Sequence, residues 1–228
     1  MASDLESATA RTPGRHTLLV LAHPRTDSLT ARVAGRLRDR LTENGGSVDV
    51  LDLYAEGFDP RLTPADEPDW ENREKEYSPE VRAQMARIVS ARDIVVVFPV
   101  WWYSVPAVLK GWIDRVWNYG FAYGRSTPRL AGKRMIWLGL AGASADDYAR
   151  RGLGDALDLQ LRIGVSGFCG IADARVRLLH DTELSGIAPH RRPARVQELL
   201  TEAEAAVLPG RPAAAPPVPD HYGTKVSV

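Results

Sequence analysis

The stretch that most constrains this chain is Ile94-Val95-Val96-Val97-Phe98, five apolar residues in a row, four of them β-branched. A run with no polar alternation suits a strand covered on both faces, as in the middle of a parallel sheet. Pro99 has no N–H to offer and ends the ladder, and Trp101, Trp102 and Tyr103 follow. Pro106 then opens a segment in which Val108, Leu109, Trp112, Ile113 and Val116 recur at helical spacing. Three large aromatic side chains therefore crown the carboxyl end of a central strand, just before a helix. Ligands of open α/β sheets bind in that crevice, so a flat, apolar ligand is expected there.

The rest of the chain alternates around that strand. His16 to Ala22 reads as a first buried strand, followed by the loop His23-Pro24-Arg25-Thr26-Asp27-Ser28. Leu29, Val33, Leu37 and Leu41 mark a helix from Ser28 to about Glu43, with Ser28 placed to cap it. Asn44-Gly45-Gly46 ends the helix, and Ser47 to Leu53 is a second strand. Phe58 to Pro79, interrupted by Pro60, Pro64 and Pro68, is a long excursion before a helix over Glu80 to Ala91. Excursions of that length in compact domains are usually functional or mobile. Arg134 to Leu140 is a fourth strand, leading through Ala141-Gly142-Ala143-Ser144 to a helix from about Tyr148 to Val165. Ala172 to Leu179 is a fifth strand and Ala194 to Val207 a last helix. Residues 1–14 read as a flexible leader, residues 15–207 as one domain, and the Pro/Ala-rich residues 208–228 as a disordered tail.

Charge and cysteine content narrow the function classes. Lys+Arg 29 against Asp+Glu 29 leaves a net charge of +0, with no basic excess that would speak for nucleic acid or an anionic membrane surface. The single cysteine, Cys169, rules out an internal disulfide and a multi-cysteine metal site, and fits a reducing cytoplasm. Ile94 to Leu109 is the one candidate membrane span. It is short, holds Pro99 and Pro106, and is bounded by Asp93 and Lys110, as a buried strand-turn-helix would be. His180 and His190 fall in a late loop without a cluster of ligands, so no metal is expected. Cys169, beside Gly170, reads as a small buried hydrophobe, and Lys110, Asp114 and Arg115 as a charged helix face.

Five strands alternating with helices make a doubly wound parallel sheet with helices on both faces. The first βα turn decides between its two common orders. A dinucleotide fold would show G-x-G-x-x-G after strand one, whereas His23 to Thr30 holds no glycine. Hydroxyls at Thr26, Ser28 and Thr30, with the free N–H groups of a helix start, make a phosphate cradle of another design. The flavodoxin-like order 2-1-3-4-5 is therefore expected.

Two blocks carry a resemblance to a known family. His23-Pro24 with Ser28 is the first. The second is Phe98-Pro99-x-x-Trp102-x-x-x-Pro106-Ala107-x-Leu109-Lys110-Gly111-Trp112-x-x-Arg115-Val116, with Phe121-Ala122-Tyr123 beyond. They resemble the NAD(P)H:quinone oxidoreductases, the family of the DT-diaphorases and of the ancillary reductases of potassium efflux systems. The resemblance runs from about His16 to Leu200. It implies a homodimer with a flavin buried at the interface and the flavin phosphate in the first βα turn, at His23, Thr26, Ser28 and Thr30. Pro99, Val100, Trp101, Trp102, Tyr103 and Ser104 would hold one edge of the flavin ring, and Ala141, Gly142 and Ala143 the other. Tyr148 matches the family's catalytic tyrosine, and Trp102, Phe121, Tyr123 and Tyr148 would wall the substrate pocket.

The chain departs from the family pattern in three places. Leu29-Thr30 stands where the family has Phe-Asn, and Ala141 stands where it has threonine. The family's catalytic histidine is missing after Tyr148, where the chain runs Arg151-Gly152-Leu153-Gly154-Asp155. The implied activity is two-electron, ping-pong reduction of quinones or related electrophilic aromatics by NADPH or NADH. The excursion over residues 58–79 favours FAD over FMN. The alternatives are a regulatory subunit of a membrane transporter and a one-electron carrier, and the balanced charge speaks against the carrier, since flavodoxins are usually strongly acidic.

Overall fold

The central run is covered on both sides, as its composition requires: every residue of Asp93–Pro99 is buried. In the computed structural model, which describes residues 15–208, this strand is β3. The order along the chain is β1 (His16–Leu21), α1 (Leu29–Glu43), β2 (Ser47–Asp52), α2 (Pro79–Ser90), β3 and α3 (Ala107–Val116). It continues with β4 (Arg134–Leu140), α4 (Ala145–Arg151), α5 (Leu153–Asp158), β5 (Asp173–Leu179) and α6 (Arg192–Val207). The five strands form one parallel sheet in the order β2-β1-β3-β4-β5, the flavodoxin-like arrangement. The expected leader and all but the first residue of the expected tail lie outside the described residues.

Strand alternation sorts the core into two. Leu18, Val20, Ile94, Val96, Phe98 and Trp137 pack with α2 and α3, while Leu19, Leu21, Val95, Val97 and Leu138 pack with α1 and α6. Each such side chain contributes about 1.5–3 kcal/mol relative to an exposed one. At the amino ends of the strands the register sets Asp93 beside Arg134 and Arg134 beside Asp173. Arg15 pairs with Asp93 at 3.4 Å, and the Arg134 guanidinium donates to the carbonyl of Val207. Both ends of the described chain therefore sit at this amino edge.

Two expectations need correcting. The helix expected over about 148–165 is broken: Ser144 caps α4 early, and Gly152, at φ 64°, ends it before α5. A π-helical segment, Leu159–Gly167, follows α5. Arg115 is not on a solvent-facing charged surface. It is buried, and its guanidinium meets Asp66 and Glu80, each at 2.8 Å, while Lys110 and Asp114 do form the exposed i,i+4 pair.

Asp66 is the anchor of the long excursion. It is fully buried, accepts from the Ser78 N–H at 2.8 Å and the Ser78 hydroxyl at 3.1 Å, and its carbonyl accepts from Asn118 Nδ2 at 2.5 Å. Burial alone would raise the Asp66 pKa, but the bonds from Arg115 and Ser78 outweigh it and hold the carboxyl below its ordinary value. Through Asp66 the excursion is tied to the start of α2 and to α3. No helix among the described residues is long and apolar enough to cross a membrane.

Candidate functional site

At the carboxyl edge of the sheet the connecting turns leave a cleft with two contiguous parts. The larger, about 280 Å³, is lined by His23, Arg25, Ser28, Leu29, Thr30, Pro99, Val100, Trp101, Leu140, Gly142, Thr182 and Glu183. The other, about 240 Å³, is lined by Val100, Trp102, Tyr103, Gly142, Ala143, Tyr148 and Glu183. Val100, Gly142 and Glu183 are common to both, so the two parts make one elongated site.

The first part is polar. Ser28 caps α1, its Oγ accepting from the Ala31 N–H at 3.1 Å, which leaves the first-turn N–H groups at the cleft. The Arg25 N–H donates to His23 Nδ1 at 3.0 Å, so this ring nitrogen is the acceptor and the neutral ring carries its proton on Nε2. Burial pushes the His23 pKa down, which favours that neutral form. Thr26 is exposed and lines neither part.

The second part is aromatic. Trp101 and Ser104 exchange backbone hydrogen bonds of 3.1 and 3.0 Å around a tight turn. Its central residues, Trp102 (φ 51°) and Tyr103 (φ 58°), are left-handed, the backbone of a type I′ turn usually made with Asn-Gly. Each such residue costs about 1–2 kcal/mol without glycine's freedom. At the tip of this turn Trp102 is almost wholly in solvent, at 95% exposure. Opposite, the Ala141 carbonyl accepts from both the N–H and the hydroxyl of Thr182, at 3.1 and 2.9 Å, which fixes the turn after β4. Among the described residues the N–H groups of Trp102, Tyr103, Gly142 and Ala143 have no hydrogen-bond partner, so donors from both turns remain for a ligand.

Tyr148, on α4, is held between Tyr103 and His180, with ring centroids at 6.0 and 5.0 Å, both edge-on. Burial, with Tyr103 adding to it, pushes its phenol up, so Tyr148 keeps its proton and acts as a hydrogen-bond donor. His180 Nδ1 lies 3.4 Å from the Ala143 carbonyl. A histidine thus touches Tyr148 after all, brought by the end of β5 rather than by the helix of Tyr148.

The other expected residues are placed as follows. Pro99 and Val100 line the cleft, Ser104 closes the aromatic turn, and Ala141 is buried beneath the second turn. Phe121 and Tyr123 line neither part. Phe121 is in the core beside a separate cavity of about 220 Å³ that reaches Arg73 and Arg129. Tyr123 lies in a second aromatic group with Trp70, Tyr119 and Phe168, at centroid distances of 5.2–6.1 Å. Arg25, Thr182 and Glu183 in the lining, and His180 against Tyr148, are the polar residues that sequence reasoning passed over, along with the apolar Leu29 and Leu140. Thr182, Glu183 and His180 come from the loop after β5, which carries no motif. No group of three His, Cys, Asp or Glu side chains among the described residues is placed to hold a metal ion.

A family model described as flavodoxin-like fold matches residues 15–206. The chain is 44% identical over 164 residues, 72% of its length and 83% of the relative's, to an uncharacterized NAD(P)H oxidoreductase of Escherichia coli. It superposes on the NAD(P)H:quinone oxidoreductase of Methanothermobacter marburgensis with TM-score 0.73 at 25% identity, covering 85% of this chain and 96% of that one. General stress protein 14 of Treponema denticola, solved in complex with FMN, shares the fold at 23% identity and TM-score 0.60, over 84% and 99% of the two chains.

Proposed function

The chain belongs to the flavodoxin-like family of NAD(P)H oxidoreductases that includes the quinone reductases, and from that premise we propose that it is a flavin-dependent reductase of quinones or related electrophilic aromatics. The observation that carries the reading is the elongated cleft, polar at the start of α1 and aromatic at the turn after β3. Its donors suit a flavin. The first-turn N–H groups of α1, with His23, Arg25, Ser28 and Thr30, would hold the phosphate. The unpaired N–H groups of Trp102, Tyr103, Gly142 and Ala143 would hold the ring edges.

When bound, the flavin would supply two-electron chemistry that no side chain of this site can perform. The protein's part is to bind, orient and exclude water. Trp102 and Tyr103 offer flat faces against which a donor and then an acceptor can stack in turn, a ping-pong use of one site. Tyr148, protonated and clamped by its two neighbours, donates a hydrogen bond to charge that builds up beside it. The hydride donor is NADPH or NADH. FAD is our favoured flavin, on the length of the excursion, with FMN the alternative.

The reading extends to a homodimer in the cytoplasm. Trp102, Trp70 and Phe168 are 95%, 66% and 49% exposed, and solvent-facing aromatic groups of this kind mark surfaces that become covered. A second copy could bring Tyr123 and Phe168 to the cleft that they do not reach within one chain.

Visible absorption of the purified protein, before and after anaerobic NADPH, tests the proposal. Flavin bands that bleach with NADPH and return with menadione are expected, and the mass of the heat-released cofactor then distinguishes FAD from FMN. A folded protein that retains neither flavin after reconstitution would overturn the reading.

A further inference from the structure

The separate cavity of about 220 Å³ beside Phe121 shares no lining residue with either part of the cleft. One wall is the end of the long excursion with α2, and the other is the segment after α3. Gly120 lets the walls meet, since a β-carbon there would collide with the Arg73 carbonyl. The floor is largely apolar: Tyr77, Met85 and Phe121 are buried, and the Tyr77 hydroxyl donates to the Tyr119 carbonyl at 2.8 Å. Trp70, Tyr123 and Phe168, the other rings of the neighbouring aromatic group, do not line it.

The rim is cationic, in a chain whose net charge is +0. Arg73, Lys75, Arg82, Arg125 and Arg129 line the cavity against only Glu74 and Glu76. Arg125 is committed to Glu74 at 2.7 Å and Arg82 to Glu76 at 3.3 Å. Lys75 donates to the Glu67 carbonyl at 2.7 Å, which satisfies a donor without neutralising the charge. Among the described residues the side chains of Arg73 and Arg129 make no hydrogen bond or ion pair. The Glu74 carboxyl is held below its ordinary value by the bond from Arg125, with the charges of Arg129 and Arg73 adding to it. Three guanidinium groups therefore share one carboxylate, and two of them keep their donors. We propose that this cavity binds a small aromatic acid, one ring bearing one carboxylate, with the ring on the Tyr77 and Phe121 floor and the carboxylate between Arg73 and Arg129. A void of about 150 Å³ takes one benzene ring, so this one has room for a ring and its acid group but not for a dinucleotide. Planar guanidinium groups offer paired donors that match a carboxylate, and aromatic side chains suit a ring. Binding there depends neither on a flavin nor on turnover.

The test is fluorine NMR of para-fluorobenzoate and the neutral para-fluorobenzyl alcohol, each titrated with the full chain. The ratio of the two dissociation constants cancels differences in folding between variants. The acid should bind roughly tenfold more tightly than the alcohol, the effect of two exposed ion pairs, and high salt should remove most of that preference. Arg73→Gln and Arg129→Gln should each lower the preference by roughly threefold, and the double variant should abolish it. Both positions lie outside the lining of the cleft, so a response to them places the acid in this cavity. Unlabelled benzoate should displace the fluorinated acid, and acetate at the same concentration should not. Equal affinity for acid and alcohol, or a preference that ignores both substitutions, would overturn the site. Displacement by acetate as effective as that by benzoate would overturn the assignment to an aromatic acid.

Discussion

Tryptophan is used in two opposite ways in this chain. Trp112, Trp117 and Trp137 are buried and packed ring against ring, one pair T-shaped and one tilted, with centroids 5.8 and 5.9 Å apart, whereas Trp101 and Trp102 are 41% and 95% exposed. The buried group bears a polar cost. Trp137 Nε1 donates to Ser166 Oγ at 2.9 Å, but the indole N–H groups of Trp112 and Trp117 have no partner, at about 1–3 kcal/mol each. The exposed pair bears a backbone cost instead, the left-handed turn at residues 102 and 103. Cores tolerate an unmet N–H for the sake of packed area. A turn tolerates strain when the rings it presents are needed outside, and this is why the exposed group reads as a site and the buried one as scaffold.

That contrast can be broken by mutation. Trp137→Ala should show the largest effect, a loss of about 3–5 kcal/mol in urea-induced unfolding, because the cavity sits between two other rings, Phe98 and Trp117. A loss below about 1 kcal/mol would mean that the core closes over it and that the cluster is not scaffold. Asp66→Asn asks whether the α3 side depends on rings alone. Removing one partner of the buried pair with Arg115 should cost about 3 kcal/mol at neutral pH. The folded-state pKa of Asp66 lies below its unfolded value of about 3.9, so its contribution is complete above that pH and fades as the pH falls further. The gap between wild type and variant should therefore narrow below about pH 4, and a gap that stays constant there would refute the assignment.

The turn should respond in the opposite direction. Tyr103→Gly relieves a left-handed residue and should stabilise the fold by about 1 kcal/mol, while reducing turnover of aromatic acceptors. Trp102→Ala should change stability least, by about 0.5 kcal/mol or less, and its effect should be seen in acceptor KM. Equal losses of stability in Trp102→Ala and Trp137→Ala would erase the distinction.

Much of this was legible in the sequence because it is local. The runs at 94–98 and 134–140 are strands whatever surrounds them, and Ser28 caps its helix through its own third neighbour. What escaped is what depends on distant partners. Arg115 sits on an amphipathic helix whose pattern cannot show that Asp66, 49 residues earlier and in no regular element, lies buried beneath it. The π-helical segment at 159–167 follows no periodicity sought in a sequence, and Gly152 reads like any helix glycine until its φ of 64° is seen. Glu183 reaches the cleft, and His180 reaches Tyr148, only because β5 lies beside β4, bringing the loop after β5 against Ala141 and Ala143. Phe121 and Tyr123 carry the family pattern, yet they lie apart from the cleft of their own chain.

The residues of the cleft lie at one edge of the sheet, on the carboxyl ends of strands and the turns and helix starts that follow them, and both ends of the described chain, near residues 15 and 208, are held at the opposite edge. A tag, a fused domain or a tether to an electrode surface joined directly at residue 15 or residue 208 would start on the far side from the aromatic turn. Joined at those two positions, residues 15–208 can be immobilised or fused from the edge opposite the cleft.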